Sequence, residues 1–177
     1  SKSKITKISR IFRKKKIDYQ FISAPENIAW LLNLRGEDSN FSPIPNSYMI
    51  LKKNNIINLF CNPKKINKKL KKKLRNVKIK DINEIEIFLD KLKNKKVQID
   101  QLSCSVFFKD ILKKNNMVIE QIDPTYYLKS VKNKIEVKNS YKSHIYDGVA
   151  LTKFLFWLKK NFQKKKITEV SAQNKLL

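Results

Sequence analysis

The sequence predicts an α/β fold: a mixed, mostly parallel sheet with flanking helices, followed by a long helix of different character. Three observations predict it. Short β-prone runs alternate with helical patterns between residues 19 and 122, two of those runs are joined by a bare Asn54-Asn55 pair, and from Asn133 to Phe162 apolar residues recur at steps of four and three. Strand, helix, strand at this spacing requires crossover connections and hence parallel pairs. Asparagine tolerates positive φ, so SYMILKK and IINLFCN close into one antiparallel hairpin.

In chain order, Ile5, Ile8 and Phe12 fall at steps of three and four with basic residues between them, which predicts an amphipathic helix over 5–16. A short strand follows at Tyr19–Ile22. Pro25, with its fixed φ, opens a second helix through NIAWLLNL that is expected to stop at Gly36. Residues 37–46, EDSNFSPIPN, hold two prolines and several turn formers and read as an ordered loop. In 63–76, PKKINKKLKKKLRN, Ile66, Leu70 and Leu74 stand at steps of four, one apolar helical stripe with lysines elsewhere. Strands at VKIKD, KKVQID and MVIEQI alternate with helices over 63–76, 82–94 and 102–115.

Asp123-Pro124 marks a boundary, because the residue before a proline is pushed out of the helical region. Residues 1–122 are therefore expected to form one α/β domain, with 123–177 the start of another. In that second part Val137, Tyr141, His144, Gly148, Leu151, Leu155, Leu158 and Phe162 make one face of a helix roughly 45 Å long at 1.5 Å per residue. Ile145, Val149, Phe154, Phe156 and Trp157 lie off that face, so the helix needs burial on more than one side. Thr168 suits the cap of a further helix. Too few residues follow to cover the aromatic side chains, and the chain reads as stopping inside a larger domain, with an oligomer interface as the alternative.

Composition narrows the function classes. A content of 41% hydrophobic residues is ordinary for a globular protein, and Cys61 and Cys104 show no spacing suited to zinc or a disulfide framework. No apolar run approaches the roughly 20 residues that span a bilayer, so a cytoplasmic protein without a membrane partner is expected. The net charge of +25 raises a lysine-rich binder of nucleic acid or anionic surfaces as an alternative. Against specific recognition, only four of the 40 basic residues are arginine, the side chain suited to bidentate phosphate and base contacts.

Two segments resemble signatures of the large Xaa-Pro aminopeptidases in the creatinase/prolidase superfamily. The first runs from Glu26 to Asp38, ENIAWLLNLRGED, with Asn46-Ser47-Tyr48 after the proline loop; the second is LKSVKNKIEVKNSYKSHIYDGVALTKFLFWL followed by Thr168-Glu169-Val170-Ser171-Ala172. The resemblance implies a creatinase N-terminal-like middle domain over 1–122, and over 123–177 the first helices of a truncated pita-bread catalytic domain. It also implies hydrolysis of the bond between an N-terminal residue and a following proline, hence peptides with proline second as partners. Two divalent metal ions, commonly manganese, and a homodimer are implied for the complete enzyme. The metal ligands of such enzymes, two aspartates, a histidine and two glutamates, are expected beyond Leu177, so the fragment alone is expected to be inactive. Another superfamily reaction is the alternative within the family. Ser143, Tyr146 and Pro45-Asn46 depart from the family pattern.

Individual residues offer scaffold rather than chemistry. Fifteen acidic residues and one histidine show no HExxH or Asp-x-Asp grouping, so no catalytic residue and no metal ligand is assigned. Arg35, beside Gly36 and a proline-containing loop, is the candidate for orienting substrate or closing a domain interface, with Asp38 as its companion; a local ion pair of Arg35 with Asp38 or Glu37 is the alternative. His144 is a third candidate, read as a helix-packing histidine bonded to a neighbour. Gly148 is expected to permit close packing against another element, and Trp30 to belong to the core.

Overall fold

A computed structural model of the chain describes residues 2–164 and 166–176, which divide into two compact units at Ser130 and Val131. In the first unit the β-prone runs become β1 (Tyr19–Ile22), β2 (Tyr48–Lys52), β3 (Ile57–Cys61), β4 (Val77–Asp81), β5 (Lys96–Ile99) and β6 (Met117–Glu120). They form one sheet in the order β4-β3-β2-β1-β5-β6. Strand β2 runs against both its neighbours, whereas β3–β4, β1–β5 and β5–β6 are parallel, giving the mostly parallel sheet with one hairpin that the sequence predicts. Asn55 takes φ 69° in the hairpin turn.

Helices cover both faces of the sheet, so the central strands read as apolar runs rather than alternating ones. All five residues of β3 are buried. On one face α1 (Lys2–Lys14), α2 (Pro25–Leu32) and the segment reaching Leu74 pack Ile8, Phe12, Ile28 and Leu31 against Ile22, Met49, Leu51 and Leu59. On the other, α4 (Ile85–Asp90) and α5 (Val106–Asn115) set Ile85, Leu89, Ile111 and Leu112 against Phe21, Ile50, Phe60, Val97 and Ile99. The period of two along each strand divides the side chains between these clusters, and Phe21 stands in register with Ile50 and Ile99.

Two helix expectations are corrected. Helix α2 ends at Leu32 instead of running to Gly36, because Asn33 adopts the left-handed conformation at φ 53°, ψ 50° and the Leu34 N–H folds back onto the Ala29 carbonyl at 2.9 Å. The helix expected over 63–76 is two pieces, a 3-10 turn at Pro63–Lys65 and α3 at Lys68–Lys73. Each piece has its own asparagine cap: Asn62 accepts from the Lys64 N–H at 3.0 Å and Asn67 from the Leu70 N–H at 2.8 Å. The apolar stripe survives the break, with Ile66 and Leu70 half-buried and Leu74 buried.

The first unit runs past Asp123-Pro124 to include α6 (Pro124–Ser130), whose Thr125 is buried and whose Leu128 packs on the core. In the second unit α7 (Lys134–Asn161) opens on an Asn133–Glu136 capping box and spans 28 residues, roughly 42 Å at 1.5 Å per residue. Helix α8 (Glu169–Leu176) follows, with Thr168 and Ser171 bonded reciprocally through backbone N–H and hydroxyl. Neither helix has a buried residue. Among the described residues nothing packs on Gly148: a Cβ there would meet nothing within 4 Å. Among the described residues no helix is long and apolar enough to cross a membrane.

Candidate functional site

The left-handed turn at Asn33 throws the chain out of α2 and into the proline loop. Leu34, buried, anchors the exit, and Arg35 donates from Nη1 to the Leu34 carbonyl at 2.7 Å, which sets its guanidinium at the base of the loop. Gly36 lies against the far side of the same loop: its N–H reaches the Pro43 carbonyl at 3.2 Å, and a Cβ would stand 2.6 Å from the Pro45 Cα. The glycine is required for that close approach, a role the sequence alone assigned to helix termination.

Asp38 fastens the loop. Its carboxylate forms an ion pair with Lys65 and accepts the Asn46 N–H at 2.8 Å, and these contacts, Lys65 first, hold its pKa below the ordinary value. Among the described residues Arg35 pairs with neither Asp38 nor Glu37, so the local pair offered as an alternative is replaced by Lys65–Asp38, joining the loop to the 3-10 turn before α3. Arg35, Gly36, Asp38, Asn46, Cys61 and Lys65 line a cleft of about 580 Å³. Burial pushes the Cys61 thiol up, so its wall is not nucleophilic. The cleft offers the Arg35 guanidinium, the Glu37 carboxylate and the Lys65–Asp38 pair, a set suited to binding and orienting a charged group.

His144 lies in the second unit, exposed on α7, and makes no hydrogen bond or ion pair among the described residues. Trp30 is half-buried against the core with the Lys4 ammonium 3.7 Å above its ring, a cation–π contact that shields its outer face.

A polar network that sequence reasoning missed joins α2 to α6. Buried Asn27 donates to Asp123 Oδ2 at 2.9 Å and accepts from Lys129 Nζ at 2.6 Å, Asp123 Oδ1 takes the Thr125 N–H at 2.8 Å, and the Tyr126 hydroxyl donates to Glu26 at 3.1 Å. Burial and that bond to Glu26 push Tyr126 up to about 12, so it stays a proton-bearing tether. At the adjacent carboxyl ends of β1 and β5, where connections leave the sheet in opposite directions, Ser23, Ser103 and Asp100 form a hydrogen-bonded trio with separations of 2.9 and 3.0 Å. That position commonly binds ligands in α/β sheets; here the trio occupies it. Residues 96 to 102 positions apart carry the Asn27 contacts, and no local pattern announces them.

Among the described residues no group of three or more His, Cys, Asp or Glu side chains is placed to hold a metal ion. The residues present therefore do not fit a dinuclear centre. The profile of the Creatinase/Prolidase N-terminal domain family matches residues 1–136. Xaa-Pro aminopeptidase 1 of Dictyostelium discoideum is 33% identical over 169 residues, covering 93% of this chain and 26% of that protein. The Drosophila melanogaster Xaa-Pro aminopeptidase ApepP is 31% identical over 170 residues, covering 93% of this chain and 28% of its own length. The chain thus spans about a quarter of the relatives it matches. In three dimensions, 98% of it superposes on the X-prolyl aminopeptidase of Caenorhabditis elegans, described as a cytosolic enzyme with a di-nuclear active site, at TM-score 0.83 and 24% identity over 30% of that chain. The Bacillus anthracis Xaa-Pro dipeptidase gives 0.68 at 15% identity over 47% of its length.

Proposed function

The chain belongs to the creatinase/prolidase N-terminal domain family, and on that premise we propose that it is the scaffold section of an Xaa-Pro aminopeptidase: the middle α/β domain and the first helices of the catalytic domain. The observation that carries this reading is the match over 93% of the chain to Dictyostelium discoideum Xaa-Pro aminopeptidase 1, which runs through both units rather than the α/β unit alone. The substrates are peptides with proline in the second position, and the complete enzyme is a cytoplasmic homodimer. Two divalent metal ions, manganese by preference, supply the hydrolytic chemistry when bound, on ligands from the part of the enzyme that its longer relatives have and this chain does not cover.

In this reading Arg35 and Asp38 are positioning residues. The Lys65–Asp38 pair and the Gly36–Pro45 contact hold the loop rigid, so that Arg35 meets an acidic group of substrate or of a neighbouring domain at low entropic cost. His144 belongs to the helix that opens the catalytic domain, where its imidazole awaits a partner from outside this chain. The test is a peptidase assay on the product of the coding sequence continued past Leu177. That product, supplied with manganese, should release the N-terminal residue from a peptide with proline second, and the 177-residue chain should release none. A continued product that binds metal yet cleaves no such peptide contradicts the proposal.

A further inference from the structure

The charge of this protein is not evenly spread. Between Asp38 and Asp81 the sequence holds no acidic residue, and from Asn62 to Lys80 it holds ten basic ones. The fold gathers that stretch at one edge of the sheet, on α3 and on the outermost strand β4. Of those ten, Lys65 is neutralised by Asp38 and Lys80 by Glu84, and Lys73 donates to the Asn33 carbonyl. Lys64, Lys68, Lys69, Lys71, Lys72, Arg75 and Lys78 are exposed and have no ion pair among the described residues. At the opposite edge, by contrast, Lys109 and Lys113 both sit on Glu120.

We propose that the α3–β4 edge is a sequence-independent binding surface for the phosphate backbone of a nucleic acid. Lysine ammoniums are point charges suited to phosphate but not to reading base edges. Helix α3 turns Leu70 and Leu74 toward the core and shows only lysines outward, so it has nothing to insert into a bilayer and no aromatic anchor for a protein interface. Counterion release from the phosphates supplies the affinity, which therefore falls steeply with salt.

The test titrates the full 177-residue chain into a labelled single-stranded RNA of about 20 nucleotides by anisotropy, over a series of salt concentrations. The variant K68Q/K69Q/K71Q/K72Q is set beside K7Q/K14Q/K93Q/K114Q, which removes the same charge from exposed positions elsewhere. The α3 variant should bind at least roughly tenfold more weakly at low salt and lose about three from the log–log salt slope, at about 0.7 per phosphate contact. The control should lose less than about threefold. Circular dichroism should match for all three chains, and a variant that has lost its helix signal is replaced by the reverse experiment, in which K68E/K72E abolishes binding. Equal losses in the two variants overturn the proposal and leave net charge alone. Binding to phosphatidylserine vesicles without binding to RNA overturns it equally.

Discussion

The two units of this chain carry similar local signals and opposite degrees of burial. In the α/β unit, strands and helices predicted from periodicity pack until Phe12, Phe21 and Phe60 are wholly out of solvent. In α7 a cap, a regular apolar period and 28 helical residues leave Tyr141 at 73% and Phe156 at 67% exposure. Periodicity specifies that a helix forms and which side chains share a face, but burial needs a partner surface. The first unit brings its own partner surfaces, because crossover connections return each helix to the sheet. The contrast makes the first unit a stable platform and the second an element whose apolar faces are available to further protein.

The largest expected effect follows from that contrast. Phe60→Ala should destabilise the first unit by about 3–5 kcal/mol in denaturant unfolding, whereas Phe156→Ala should change stability by no more than about 0.5 kcal/mol. Comparable losses would mean that α7 is as well packed as β3. Next comes the α2–α6 network: Asn27→Ala leaves the Asp123 carboxylate, 1% exposed, with the Thr125 N–H as its remaining bond, at a cost of about 2–3 kcal/mol. Trypsin should then cut within α6 as well as at the junction near Lys132, and an unchanged digestion pattern would show that the network does not hold α6 in place.

The glycines give a test of sign. Gly36→Ala forces a Cβ against the Pro45 backbone and should cost about 1–3 kcal/mol, whereas Gly148→Ala meets open space within a helix and should stabilise α7 by up to about 1 kcal/mol. Thermal melts of the two variants moving in the same direction would break the comparison. The smallest effect is pH-linked. Hydrogen bonds from Lys53 and from the Lys96 N–H hold Asp18 below 3.8, so its ionised form favours the fold above that value and the contribution is lost as pH falls through the lower, folded-state value. The stability difference between the native chain and Asp18→Asn should be present at pH 7 and shrink as the medium becomes more acidic than 3.8. A difference independent of pH would remove Asp18 from that role.

Much of the fold was legible because its signals are local. The Asn54-Asn55 turn, the Pro25 helix start and the β-prone runs each act within a few residues. Where the reading failed, two local signals competed and the sequence does not rank them. Asn33 and Gly36 both end helices, and the earlier one won; Asn67 lies within the span of the Ile66, Leu70, Leu74 stripe and also suits a helix cap, and the cap won. The candidate site was less legible. Arg35 and Asp38 were found as residues, but their partners Leu34 carbonyl and Lys65 were not, since a lysine 27 positions away is one among many until the fold selects it. The Asn27–Asp123–Lys129 network has no sequence signature, because it is made by bringing the end of the unit back to its second helix.

Amide hydrogen exchange on the intact chain compares the two units most directly. Amides of β1, β2 and β5, whose strands lie inside the sheet, should exchange at the rate set by global unfolding, at least about a thousandfold more slowly than those of α7. Protection of α7 equal to that of β1 would contradict the division into a well-packed α/β unit and a helix without a buried residue.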